Sequence, residues 1–161
     1  MALSVIIILY VVIGLMSAAG SVFIAKKLFS AKAEQTFFAL FLIPIAGFYL
    51  AFTAYFGDEA AWRFETAGVI GFALLSLLGV RLPVVLIIGY LVHGLWDVLH
   101  EMHAHGGLDL FSAQHATEIP LAYGAFCATY DWCMAGYFYT RWSEWSAASR
   151  ALVPGRTKAT A

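Results

Sequence analysis

Charge is scarce in this chain. Nine Lys and Arg and ten Asp and Glu stand among 161 residues, 12% of the total, against roughly 25% in an ordinary globular domain. The net charge of −1 leaves no basic surface for nucleic acid. Two cysteines are too few for a disulfide-built secreted module, and four prolines with no glycine repeat exclude a collagen-like chain. So little charge among so much apolar side chain also excludes a disordered segment.

What fills the sequence instead is hydrocarbon. Hydrophobic residues make up 62% and aromatics 16%, and the mean hydropathy is +0.82. A soluble fold of this size has too little interior to bury that much apolar surface. The chain therefore reads as a small all-α integral membrane protein.

A membrane-crossing helix needs about 20 apolar residues. Five stretches qualify: Leu3 to Ala25, Thr36 to Phe56 with Pro44 inside, Thr66 to Val80, Val84 to Ala104, and Glu118 to Tyr139. The third is short, and an earlier start near Trp62 lengthens it. Charge tests the count independently. With five spans, Lys26, Lys27, Lys32, Arg81, Arg141, Arg150, Arg156 and Lys158 share one face, and Arg63 alone lies on the other. Four or six spans break that sorting. The positive-inside rule makes the basic face cytoplasmic, with the N-terminus outside and the C-terminus inside. Asp58, Glu59, Glu65, Glu101, Asp109 and Glu118 then gather outside. The expected layout is a five-span domain over residues 1–141, followed over 142–161 by a cytoplasmic interfacial segment and a flexible tail. Trp142 and Trp145 are expected as interfacial anchors, and most of the aromatic residues are expected to face lipid or the interface. Ser17 to Ser21 and the Ala67/Gly71 pair permit close helix packing. Thr117 and Pro120 look like the start of the fifth helix. Cys127 and Cys133 lie six residues apart on one span and cannot bridge each other.

Ionisable residues concentrate in spans four and five. His93, Asp97 and His100 are spaced i, i+4, i+7, which puts them within roughly 60° of one another on a helix. Charged groups at membrane depth are costly against lipid, so this face should point into the bundle. Span five offers a matching stripe through Pro120, Tyr123, Cys127, Asp131, Met134 and Phe138. At about 1.5 Å per residue, His93 lies level with the Cys127–Asp131 interval. The two stripes can then meet.

Imidazole, carboxylate and thiolate together make the donor set of a metal site, and imidazole suits zinc and iron. His93, Asp97 and His100 are the candidate ligands, completed by Asp131 or Cys127. An open position on the ion lowers the pKa of a bound water toward about 7 and yields a hydrolytic nucleophile. Asp131 or Glu101 is then the candidate general base, and Tyr123 the group that steadies an oxyanion. A structural network is the alternative: Asp97 bonded to His93 and His100, and Asp131 to Tyr130 or Trp132. His103, His105 and His115 flank the outer loop. They read either as a solvated polar segment or as further ligands.

The run His93-Gly94-Leu95-Trp96-Asp97-Val98-Leu99-His100, with Pro120-Leu121-Ala122-Tyr123 and Cys127-Ala128-Thr129-Tyr130-Asp131, resembles a family of small bacterial membrane proteins of unknown function. That family shows a His-x-x-Trp-Asp-x-x-His box, a Pro–aromatic step and a Cys-x-x-x-Asp helix. It often carries two adjacent histidines after the box, where this chain has His100-Glu101. The resemblance covers spans four and five and implies a bacterial inner-membrane setting without implying a reaction.

Two functions of different class follow. One is a divalent-metal protein, with zinc or iron, hydrolysing a lipid or amphiphile near the outer leaflet. The other is a non-catalytic accessory subunit of a larger membrane complex, ligating haem or a pigment through His93 or His100. Proton movement along His93, Asp97, Asp131 and Tyr130 ranks below both, because five spans without a repeat make a transporter only as a homo-oligomer. Five histidines also fall short of what a membrane di-iron hydroxylase displays.

Overall fold

Among the described residues five helices follow one another: α1 (Ala2–Leu28), α2 (Ala31–Phe56), α3 (Trp62–Gly79), α4 (Pro83–Ala104) and α5 (Tyr123–Ala151). They come from a computed structural model that describes residues 2–106 and 116–151. His115, Asp109, Arg156 and Lys158, and the expected flexible tail, lie outside the described residues. Local chemistry sets the helix ends. Ser30 caps α2 by accepting from the Ala33 amide. Gly57, at φ 71°, closes the same helix in the left-handed conformation that glycine adopts freely. Pro83 opens α4 at a position where its missing N–H costs nothing.

The contacts fix the helix directions. Gly124 meets Asp97, and Trp132 bonds Leu91, so rising numbers on α5 meet falling numbers on α4. These two helices are antiparallel. Along α1 and α5 the pairs Gly14–Phe126, Ser21–Tyr130 and Lys26–Tyr137 rise together, so these two run parallel. Gln35–Gly79 and Ala39–Ser76 make α2 and α3 antiparallel. Phe38–Tyr90 and Tyr49–Asp97 make α2 and α4 parallel. The chain thus runs alternately up and down, and the start of α1 and the end of α5 lie at opposite ends of the bundle.

Three helices, α1, α2 and α4, are long and apolar enough to cross a membrane. The apolar run of α5 is interrupted by Asp131, Arg141 and Glu144, and α3 has only 18 residues. Helix α1 packs mainly on α5 and leaves large side chains uncovered around it, with Val5, Met16 and Phe23 each 65–70% exposed. A helix this apolar on its open faces suits lipid as its neighbour.

The core lies between α2, α4 and α5, where Phe38, Leu42, Leu86, Tyr90, Met134 and Phe138 are buried. Aromatics therefore build the interior as well as the surface: Tyr49, Tyr90, Phe38, Phe138 and Trp145 are among the largest fully buried side chains. Trp145 departs from its expected place as an interfacial anchor. It is fully buried because its indole N–H donates to the buried carboxylate of Glu34 at 3.0 Å. Trp142 is exposed.

The fifth helix also begins later than expected. Thr117 is no helix cap: α5 starts only at Tyr123, the Thr117 hydroxyl donates to the Glu118 carbonyl oxygen at 3.3 Å and its backbone N–H to Glu65 at 3.0 Å, and Ala122 holds a φ of 60° just ahead of Tyr123. At its other end α5 continues through residue 141 to Ala151, so the expected boundary there falls within one helix. Of the small residues, Gly14 meets α5 closely: a Cβ there would lie 2.7 Å from the Phe126 carbonyl oxygen. Gly71 has open space beside it.

Candidate metal centre

Helical spacing turns His93, Asp97 and His100 to one face of α4, and that face is buried: their exposures are 1%, 0% and 1%. Asp131 on α5 is equally buried. The antiparallel packing of α4 on α5 brings the two polar stripes together. His93 Nδ1 lies 2.7 Å from Asp131 Oδ2 and 3.2 Å from Asp97 Oδ2. Tyr49, from α2, donates its hydroxyl proton to Asp97 Oδ1 at 2.6 Å. Two carboxylates thus flank one imidazole, held from behind by a phenol.

This arrangement is incompletely satisfied. One Nδ1–H cannot serve two carboxylates, and its aligned bond goes to Asp131. Among the described residues, Asp97 Oδ2 and His93 Nε2 are buried without a hydrogen-bond partner. Each unpartnered buried polar atom costs about 1–3 kcal/mol. His93, Asp97 and Asp131 each offer a ligand atom, and these three lie within 4.8 Å of one another. Atoms sharing a tetrahedral ion at about 2.0–2.2 Å lie roughly 3.3–3.6 Å apart. The 3.2 Å separation between His93 and Asp97 is close to that spacing. The 2.7 Å separation to Asp131 is that of a hydrogen bond, and less than about 1 Å of opening relieves it.

His100 faces elsewhere. Its Nε2 meets Glu65 Oε1 at 3.0 Å and its Nδ1 meets the Trp96 carbonyl oxygen at 3.0 Å. Its ring packs at a tilt against that of Tyr49, with centroids 4.4 Å apart. The alternative pairings from spacing also differ from those found: Asp97 meets His93 but His100 meets Glu65, and Asp131 meets His93 in place of Tyr130 or Trp132. Glu101 acts at a helix end. It accepts from the Gly124 amide at 2.9 Å, in the first turn of α5, where a carboxylate is favoured by the helix dipole. Its other oxygen meets His105 Nε2 at 2.8 Å. His103 lines a separate cavity with Asp58, Thr117 and Glu118.

Tyr123 and Cys127 line a cavity of about 330 Å3 that reaches His93 and Asp131. The structure thus joins His93, Asp97 and Asp131, sets Tyr123 and Cys127 beside them along the cavity, and leaves His100 and Glu101 in neighbouring networks.

Spacing alone missed Tyr49 and Glu65. Tyr49 is one of eight tyrosines, in a span with no other polar stripe to mark it. Glu65 reads as one more outer carboxylate, yet it is 1% exposed. The only trace of its role is its place just inside α3, level with the outer turn of α4.

No curated protein and no solved structure matches the chain. A family does, over residues 6–144, a stretch that holds His93, Asp97, Asp131, Tyr49 and Glu65. The chain belongs to that family, DUF6010, described as a family of unknown function.

Proposed function

We propose that His93, Asp97 and Asp131 hold a divalent metal, zinc or iron, and that the protein is a membrane-embedded hydrolase of a lipid or amphiphile. The observation that carries this reading is the buried His–Asp–Asp cluster in which Asp97 Oδ2 lacks a hydrogen-bond partner. A positive ion held by His93 Nδ1 and the two carboxylates answers that deficit. It separates two carboxylates that otherwise repel each other, and it gives the orphaned Asp97 oxygen a partner.

Three protein ligands leave a coordination position open, as catalytic sites do. A metal there supplies an acidified water and a Lewis acid. The residues do the rest. Tyr49 orients Asp97 through its hydroxyl, in the way outer partners of metal-bound carboxylates do. Tyr123, on the cavity wall, steadies developing negative charge on the substrate oxygen.

The five helices cross the membrane in this reading, N-terminus outside and C-terminus cytoplasmic. The up-and-down course of the bundle supports it, as does the grouping of Lys26, Lys27, Lys32, Arg81, Arg141 and Arg150 at one end of the helices. The proposed setting is a bacterial inner membrane, as the sequence resemblance implies.

The test is metal analysis by mass spectrometry on detergent-purified protein, with circular dichroism and gel filtration as controls. Near-stoichiometric zinc or iron, lost in Asp97→Ala without loss of helix content, is the expected result. Equal metal content in both proteins overturns the assignment.

A further inference from the structure

The cavity beside the His–Asp–Asp cluster lies among three helices. Ser17 and Ser21 of α1, Phe41 and Phe48 of α2, and Phe126 and Tyr130 of α5 form its walls, and His93 and Asp131 stand at its inner end. The walls are almost wholly apolar. At about 330 Å3 it falls at the small end of the range for ligand pockets, about 300–1,000 Å3.

Helix α1 packs against α5 and makes no extensive contact with α2. The cavity therefore occupies a cleft between neighbouring apolar helices. Its rim is uncovered: Phe48 is 49% exposed, and Ser17, Ser21, Phe41 and Ile45 are half-buried. Ser17 lies near the middle of α1, and Phe41 to Phe48 near the middle of α2. Both helices qualify as membrane spans. At mid-span the neighbour beyond the rim is neither water nor headgroup but lipid hydrocarbon.

We infer that this cleft is a binding site for one acyl chain of a membrane lipid, entered sideways between α1 and α2. The inference deepens the proposed function, because it assigns the apolar part of the substrate and its route to His93 and Asp131. The chain threads between Phe41, Phe48 and Phe126. The polar end of the same molecule then reaches the buried carboxylates. Tyr130 donates a hydrogen bond to Ser21 at 3.2 Å and so ties α1 to α5 at the back of the cleft.

The experiment uses the full chain in phosphatidylcholine nanodiscs doped with a phosphatidylcholine that carries a diazirine at mid-chain. Labelled residues are mapped by mass spectrometry after illumination, and metal content is measured on the same samples. The inference expects labelling of Phe41, Phe48 and Phe126 about ten-fold above that of Ile8 and Leu74, which are 63% and 59% exposed on open faces. Ser17→Phe fills the cleft from α1 and should bring that labelling down to the level of Ile8. Phe48→Trp narrows the mouth from α2 and should do the same, should the first variant not fold. Labelling spread evenly over exposed residues in the wild type, or unchanged in a folded filled variant, overturns the chain site. Concentrated labelling in a protein that binds no metal keeps the chain site and removes the proposed function. Bound metal with even labelling does the reverse.

Discussion

His93 and Asp131 stand 38 residues apart in the chain and 2.7 Å apart in space. The contact exists because α4 and α5 pack antiparallel with little between them, and small residues permit that approach. A Cβ at Gly124 would lie 2.4 Å from the Asp97 carbonyl oxygen, and one at Gly94 would lie 2.6 Å from the Trp132 indole nitrogen. The chemistry of the site thus depends on Gly124, which carries none itself, while Gly94 makes room for an indole.

Tyr49 gives the first prediction. It touches Asp97 from behind, through one hydrogen bond of 2.6 Å, and supplies no ligand atom to the cluster. Tyr49→Phe removes that hydroxyl and keeps the ring that packs on His100. Metal affinity should fall by roughly 10–100-fold, the usual effect of losing an outer partner, while stoichiometry at saturating metal stays that of the wild type. A competition titration against a chelator reads this directly. Unchanged affinity removes the positioning role.

The glycines give the second. In Gly124→Ala the new methyl meets backbone, which cannot move without parting α4 from α5. Overpacking of this kind costs about 1–3 kcal/mol, occasionally more. In Gly94→Ala the obstacle is the half-exposed Trp132 side chain, which can swing away from the bundle. Gly71→Ala meets nothing within 4 Å and should gain up to about 1 kcal/mol of helix propensity. The order of thermal stability in detergent should be Gly71→Ala first, Gly94→Ala next and Gly124→Ala last, and only Gly124→Ala should also lose metal. Equal melting temperatures for the three would mean the interface is looser than the contacts require.

The inward face of α4 was legible in the sequence because helical period and the cost of buried charge act on one local stretch. His93, Asp97 and His100 share a face by arithmetic alone. Their partners were not legible. Whether His100 meets Asp97 or Glu65 depends on where α3 lies, and nothing in α4 encodes that. The late start of α5 was hidden for the same reason: Thr117 has the chemistry of a helix cap, but its segment is held against Glu65, 52 residues away, and the helix begins only at Tyr123. Trp145 reads as an interfacial anchor until Glu34 is seen beside it. Short-range pattern fixes which groups point inward, and long-range packing decides what they meet.

Glu34 gives the third prediction. Its buried carboxylate accepts from the Tyr137 hydroxyl, from Arg141 Nε at 3.0 Å and from Trp145 Nε1 at 3.0 Å. It ties the start of α2 to the last turns of α5, far from the metal cluster. Glu34→Ala strands these donors and should destabilise the bundle by about 3 kcal/mol, the low end for a broken buried pair, because Arg141 keeps some contact with water. The indole emission of Trp145 should shift to the red as its shielding loosens, while metal stoichiometry stays that of the wild type. Loss of metal in a folded Glu34→Ala protein would show the two ends of the bundle to be coupled.

Glu65 gives the last. One oxygen, Oε1, accepts from both His100 Nε2 and the Thr117 amide, each at 3.0 Å. The other, Oε2, is buried without a partner among the described residues. The carboxylate thereby pins the segment before α5 over one end of the site, and His100 in turn supports the ring of Tyr49. Glu65→Gln keeps the shape but replaces a charged acceptor by a neutral one. Hydrogen bonds to charged groups contribute about 1.5–3 kcal/mol and neutral ones about 0.5–1.5 kcal/mol. Hydrogen exchange at the Thr117 amide should therefore speed up by roughly ten-fold, since about 1.4 kcal/mol is a factor of ten. Exchange in the middle of α4 and metal stoichiometry should not change, because His93, Asp97 and Asp131 keep their own contacts. Faster exchange throughout α4 would instead make Glu65 part of the core that holds the cluster, with His100 as the link.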